Sequence, residues 1–275
     1  MTLFDTYVAV DWSASSAPKR GKDSIWISVS GREPVNPATR AEACAIVGDL
    51  LRREAAAGRR VLVGFDFPYG YPTGFADLVA PGPEPAWRRV WKLLSDRIED
   101  DERNANNRFA VAAGLNRETG GPGPFWGCPR TRDEPALTST RTCRFPYREL
   151  AELRRVDCRT PGVQSVWKLF GVGSVGSQAL VGIPYVAKLR DDVALAEISR
   201  VWPFETGWSV PDARIVHVEI WPGLVPPAQH AVRDAGQVAG VVGHWQGLDE
   251  AGQLERLFDP AGAEEAGLEE GWILG

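Results

Sequence analysis

The chain has 275 residues, 44% of them hydrophobic and 24% charged, with a net charge of −5 at pH 7 and a pI near 5.4. That length buries a full core as one large α/β domain or two small ones, and the acidic balance excludes an unspecific polyanion binder with a basic surface. It does not exclude a local basic groove, although Arg52-Arg53, Arg59-Arg60, Arg88-Arg89 and Arg154-Arg155 read first as solvated helix faces.

Residues 6–13 form a first apolar run, and after a polar loop Ser24 to Ser30 alternates with period two, which predicts an antiparallel hairpin with a flexible tip. Thr39-Arg40-Ala41-Glu42 has capping-box spacing, with Ala43, Ile46, Val47, Leu50 and Leu51 on one face of a helix that should stop near Gly58. Residues 61–67 are almost all apolar, the pattern of a strand buried on both faces. The opening third therefore reads β-β-α-β. From Tyr69 to about Thr160, Pro and Gly separate short helical patterns such as Trp87 to Ile98 and Tyr147 to Arg155, a helical subdomain inserted on loops. Residues 163–190 carry a Gly-rich turn between two expected helices. Strands return at 199–204 and 214–221, and an amphipathic helix is predicted from about Ala228 to Trp245, with Ala231, Ala235, Val238, Val242 and Trp245 inward. The tail after Gly247 is acidic and carries no motif.

Cys44, Cys128, Cys143 and Cys158 form no C-x-x-C pair and read as free thiols of a reducing compartment rather than zinc ligands or disulfides. No apolar stretch is long enough to span a membrane, and Met1 to Asp5 lacks signal-peptide character, so a soluble, cytoplasmic protein is expected.

The chemistry starts from two acids that each close an apolar run, Asp11 and Asp66. Strand periodicity places Tyr7, Ala9 and Asp11 on one face, and Leu62, Gly64 and Asp66 on one face, with small Ala9 and Gly64 leaving room for a ligand. Ile215, His217 and Glu219 share a face of the late strand, and Asp234 borders the inner stripe of the last helix. Four carboxylates, Asp11, Asp66, Glu219 and Asp234, are thus expected to converge. Such a cluster repels itself at neutral pH unless protons or cations hold it, and Mg²⁺ or Mn²⁺ is the natural partner of oxygen ligands. Two such ions about 4 Å apart orient an attacking water and stabilise the leaving oxygen of a phosphodiester. His217 would assist proton transfer or pair with a neighbouring carboxylate.

These residues resemble a family of predicted nucleases in the ribonuclease H-like superfamily, related at fold level to Holliday-junction resolvases. The resemblance rests on Val10-Asp11-Trp12-Ser13, on Asp66-Phe67-Pro68-Tyr69-Gly70-Tyr71-Pro72, which is similar to an Asp-x-Pro-x-Gly-x-Pro element, and on Glu219-Ile220-Trp221-Pro222, which resembles a Glu-x-x-Pro strand. Arg233-Asp234-Ala235 resembles the start of the family's closing helix; three residues on, Gln237 stands where the family often has a second acid. The resemblance implies a mixed five-stranded sheet flanked by helices, one ribonuclease H-like α/β domain over residues 1–275, with a helical insertion at about 75–195. It implies metal-dependent hydrolysis of a phosphodiester in nucleic acid or a nucleotide-like molecule. Asp11, Asp66 and Asp234 would be the metal ligands and Glu219 a further member of the catalytic set. A third strand of the opening meander is not visible between Ser30 and Pro37.

Gly171-Val172-Gly173-Ser174-Val175-Gly176 matches G-x-G-x-x-G, but the stretch before it reads as a helix and no acid stands at the required distance after it, which argues against a dinucleotide site. It is either a helix–helix turn or a loop whose amides, with Ser174, Ser177 or Gln178, face a substrate phosphate. Ser13, Arg148, Lys168, Ser174 and Gln178 are the candidate substrate-binding residues. Trp12 and Trp126 are placed to stack on bases or to pack in the core. Two other functions remain open: an actin-like phosphotransferase or ATPase, against which the missing Asp-x-Gly-[Thr/Ser] loop counts, and a catalytically silent binding protein on the same fold, which Gln237 favours.

Overall fold

In the computed structural model, which describes residues 2–263 and 267–275, the first apolar run becomes strand β1 (Thr6–Asp11) and the alternating stretch becomes β2 (Trp26–Val29). The two pair antiparallel from Val8↔Val29 to Asp11↔Trp26. Residue Val35 then makes one isolated bridge to Ile27, a single pair where the meander's third strand was sought. Helix α1 (Arg40–Ala56) starts as predicted, with the Thr39 hydroxyl accepting from the Glu42 amide, and its end is followed by Gly58 at φ 74°. The Glu42 carboxylate caps the Ala38 amide instead of the reciprocal Thr39 one. Strand β3 (Val61–Phe65) returns parallel to β1, in register from Thr6↔Val61 to Val10↔Phe65.

The chain then leaves the sheet for helices α2 (Phe75–Val79), α3 (Ala86–Arg97), α4 (Arg108–Glu118), α5 (Arg155–Arg159) and α6 (Gly176–Arg190). It re-enters through β4 (Ser199–Val201) and β5 (Ile215–Glu219), both parallel to β3. The sheet order is β2-β1-β3-β5-β4, a mixed sheet flanked by helices. Helix α7 (Arg233–Glu250) packs on β1 and β2, and a short helix α8 (Gly267–Glu270) lies near the C-terminus.

Two cores share the sheet between them. On one face Tyr7, Ala9, Leu62, Val216 and Val218 meet Ala235, Val238, Val242 and Trp245 of α7. On the other, Val8, Val10, Val63, Phe65 and Ile215 meet α1 and α6, and this core runs on into the inserted helices. There the rings of Tyr71, Phe75, Phe125 and Trp167 pack at centroid distances of 4.8 to 5.9 Å.

Several expected elements are corrected. Tyr147 to Leu150 is a tight turn, because Arg148 and Glu149 take positive φ (50° and 68°), and helix begins only at Arg155. Gln164 to Phe170 is not helical; it is held by a parallel bridge between Trp126 and Lys168. The last helix starts at Arg233, since Pro226 to Ala228 runs back along it: a Cβ on Gly236 or Gly240 would lie 2.5 Å from the carbonyl of Ala228 or Pro226. Ala231 is accordingly exposed. The acidic tail is structural as well. Glu270 accepts from Thr73 and from the Arg155 amide, Glu269 accepts from the Gly74 amide, and the Leu274 amide donates to the Glu219 carbonyl. All four cysteines are free, and among the described residues no helix is long and apolar enough to cross a membrane.

Candidate functional site

Asp11 ends β1, and Asp66 lies one residue past β3 with its amide donating to the Val10 carbonyl at 2.9 Å. Neighbouring strands run about 4.8 Å apart, so the register that pairs Val10 with Phe65 brings the two acids side by side at the C-terminal edge of the parallel strands. Burial, followed by the charges of Asp66, Asp234 and Asp23, lifts the Asp11 carboxyl well above the usual carboxylate range. Burial and then Glu219 push Asp66 up to about 7. Among the described residues neither carboxylate has a hydrogen-bond or ion-pair partner. The sheet edge therefore holds two adjacent acids with nothing to offset their charge.

The other predicted members are placed differently. Register pairs Val63 with His217 and Phe65 with Glu219, so both late-strand residues belong to the α1/α6 face, opposite the face that Asp11 and Asp66 continue. His217 is fully buried with neither ring nitrogen bonded, and burial, then Arg190, hold its pKa down to about 3, so it offers no proton at neutral pH. Glu219 is also buried and fully engaged: Arg154 donates to its two oxygens at 2.7 and 2.6 Å, and the Tyr69 amide donates at 2.9 Å. Arg154 in turn binds Asp157 at 2.8 Å. Asp234, in the first turn of α7, accepts from the Asp23 amide at 2.6 Å and so ties down the β1–β2 loop. The expected four-acid convergence thus reduces to a pair with Asp23 and Asp234 nearby. Among the described residues, no three His, Cys, Asp or Glu side chains are grouped to hold a metal ion. The ligand space foreseen beside Gly64 is filled, because a Cβ there would lie 2.5 Å from Ile220 and 2.8 Å from Trp245.

An open cleft lies over the acid pair. One lobe, of about 670 Å³, is lined by Asp11, Asp66, Asp234, Gln237, Ser13 and Arg108, among others. A second, of about 530 Å³, runs toward Arg154, Gln164 and Trp221, and the lobes share Asp23, Asp66, Gly171, Ser174 and Gln178. Ser174 and Gln178 therefore do line the site, and the Gln178 amide donates to the Trp12 carbonyl at 2.9 Å. Ser13 lines it too, and its carbonyl accepts from the fully buried Arg40, whose guanidinium is held by Asp100 at 2.6 Å.

The Gly-rich turn reaches this place because Gly176 can press against the preceding strand-like segment. Its amide donates to the Lys168 carbonyl at 3.0 Å, and a Cβ there would sit 2.2 Å from the Val166 carbonyl. Lys168 serves the turn itself, with its ammonium on the Val172 carbonyl at 2.7 Å, and does not line either lobe. Arg148 donates to the Gly120 carbonyl at 3.3 Å and also lies outside the cleft. Trp12 is a core residue, 1% exposed and packed on Phe65, Phe67 and Tyr185. Sequence reasoning missed Arg108, which α4 delivers to the cleft from more than 40 residues beyond β3. No family model, no curated protein and no solved structure matches the chain.

Proposed function

We propose that the protein is a divalent-metal-dependent phosphodiester hydrolase of the ribonuclease H-like kind, acting on nucleic acid or a nucleotide-like phosphodiester. The carrying observation is the adjacent Asp11–Asp66 pair, unneutralised by any cation among the described residues and open to a cleft. The fold assignment is supported by the antiparallel β1–β2 hairpin, the parallel run β1-β3-β5, and the single Val35 bridge in the place of a third meander strand.

The donor set fits Mg²⁺ or Mn²⁺. Mg²⁺ is commonly held by one or two carboxylates, with water and substrate phosphate completing its octahedron, so the lack of a third grouped acid is compatible with substrate-assisted binding. Asp11 and Asp66 would hold the ion, which when bound would polarise the phosphoryl oxygen and lower the pKa of water. Asp234 does not need to ligate; it fixes the Asp23 loop over the cleft. Ser13, Ser174 and Gln178 lie where a substrate would pass, and Gln178 is oriented by the Trp12 carbonyl.

The engagement of Glu219 by Arg154 and of Asp234 by the Asp23 amide favours a second reading, a binding protein on the same fold without catalysis. One assay separates the readings. The protein is incubated with single-stranded and duplex DNA, RNA, branched junctions and ATP, with Mg²⁺ or Mn²⁺, beside Asp11→Asn/Asp66→Asn. Metal-dependent cleavage that falls at least 100-fold in the double variant is the expected result. Cleavage that survives the double substitution would overturn the site, binding without cleavage would favour the silent protein, and turnover of ATP alone would favour a phosphotransferase.

A further inference from the structure

Three arginines are buried among the described residues: Arg40, Arg108 and Arg154. Arg40 is neutralised by Asp100, and Arg154 by Asp157 and Glu219. Arg108 differs. Its Nε donates to the Ser177 hydroxyl at 2.9 Å, and its Nη1 donates to the Ser16 hydroxyl at 2.9 Å and to the Asn106 side-chain oxygen at 2.7 Å. All three partners are neutral, and Nη2 has no protein partner among the described residues. The guanidinium lies over the Phe109 ring, its central carbon 4.4 Å from the ring centroid. A buried charge without a counter-charge is costly, and proteins keep one where a ligand supplies the missing partner.

Its position says which ligand. Arg108 lines the same lobe as Asp11 and Asp66. The lobe thus brings together an acid pair from the sheet edge and, from the first residue of α4, a guanidinium with no ion-pair partner among the described residues. Burial, then Arg40 and Arg132, outweigh Asp100, which is itself paired with Arg40, and hold the Arg108 pKa down to about 10, which still leaves it charged at neutral pH. A planar guanidinium with Nη2 open is suited to phosphate oxygens.

We propose that Arg108 is an anion subsite that holds a second phosphate of the substrate, beside the phosphodiester bound at Asp11 and Asp66. The proposal rests on the reading of the cleft as a phosphodiester site, and it narrows the substrate class to molecules with at least two phosphate groups. An oligonucleotide and a free diphosphate offer the same oxygens, and the test tells them apart.

Wild type, Arg108→Gln and Arg108→Lys are compared in EDTA at low salt by anisotropy of a labelled single-stranded oligonucleotide, with inorganic pyrophosphate as competitor. With Mg²⁺ or Mn²⁺, hydrolysis is read on pTpT and on bis(p-nitrophenyl) phosphate, which has no second phosphate. Arg108→Gln should weaken oligonucleotide binding at least tenfold and lower kcat/KM for pTpT by a similar factor. It should leave bis(p-nitrophenyl) phosphate within about twofold, and Arg108→Lys should fall between. Displacement of the oligonucleotide by pyrophosphate at comparable concentration would assign the subsite to small diphosphates; weak displacement would assign it to the nucleic-acid backbone. Equal binding by all three proteins, or equal loss on both hydrolysis substrates, would overturn the proposal. Because the EDTA binding arm needs no turnover, it stands even if hydrolysis is absent. Should Arg108→Gln not fold, Arg108→Lys carries the same comparison.

Discussion

The free energy of the candidate site sits in two carboxyl groups that resist ionisation. Asp66 has its carboxyl pushed up to about 7 from an ordinary value of 3.8. The folded state therefore holds a proton that the unfolded state has released, and the stability this contributes is complete below about pH 4 and lost as pH rises through 7. The loss is on the order of 4 kcal/mol. Asp66→Asn should then equal wild type in urea stability near pH 4 and exceed it at pH 8, where a neutral amide faces Asp11 in place of a carboxylate. A cation bound at the proposed site would replace the proton, so Mg²⁺ or Mn²⁺ at pH 8 should raise the melting temperature of wild type and leave Asp11→Asn/Asp66→Asn unmoved. Equal pH dependence in variant and wild type would count against a strained pair. These two acids were legible because a carboxylate closing an apolar run has few structural uses. The fates of Glu219 and His217 were not, since a strand's period tells which residues share a face but not which face of the sheet that becomes. Pairing of β3 with β5 decides that.

At the scale of elements, the Gly-rich turn shows how a motif can be visible and its purpose hidden. The pattern leaves open a helix–helix turn and a phosphate-facing loop, and neither tells that Gly176 is fixed by packing: its α-carbon abuts the Val166 and Lys168 carbonyls, which a Cβ would meet at 2.2 and 2.8 Å. Gly176→Ala should cost about 1–3 kcal/mol, seen as a lower urea midpoint at constant slope. Because Ser174 and Gln178 hang on that turn, substrate affinity should fall with it; unchanged stability would mean that the segment yields easily. Continuous apolar runs made β1 and β3 readable, and helical apolar patterns did the same for α1, α3 and α6, with α1 starting at its expected cap. Tyr147 to Leu150 misled because positive φ at Arg148 and Glu149 is a backbone choice that neither residue advertises. α4 escaped notice because its apolar residues make no stripe: Val111, Ala112, Ala113 and Leu115 are all buried.

Across the whole molecule, long-range ion pairs decide which acids stay free, and no local pattern encodes them. Arg154 and Glu219 are 65 residues apart, yet their pairing is what removes Glu219 from the expected acid cluster. Resemblance alone would assign Glu219 to the catalytic set; its geometry makes it the clamp that joins β5 to the inserted segment and, through the Tyr69 amide, to the turn after Asp66. The two roles have opposite consequences. Arg154→Met leaves Glu219 and Asp157 buried without a counter-charge and should cost about 3–5 kcal/mol, whereas Arg154→Met/Asp157→Leu/Glu219→Met should recover most of that loss. Glu219→Gln retains an oxygen and an amide near the same partners. If Glu219 is the clamp, this variant loses stability but keeps the metal-dependent rise in melting temperature. A ligand role would instead erase that rise while Asp11 and Asp66 are intact, and a calorimetric titration of Mn²⁺ into Glu219→Gln reads the difference directly.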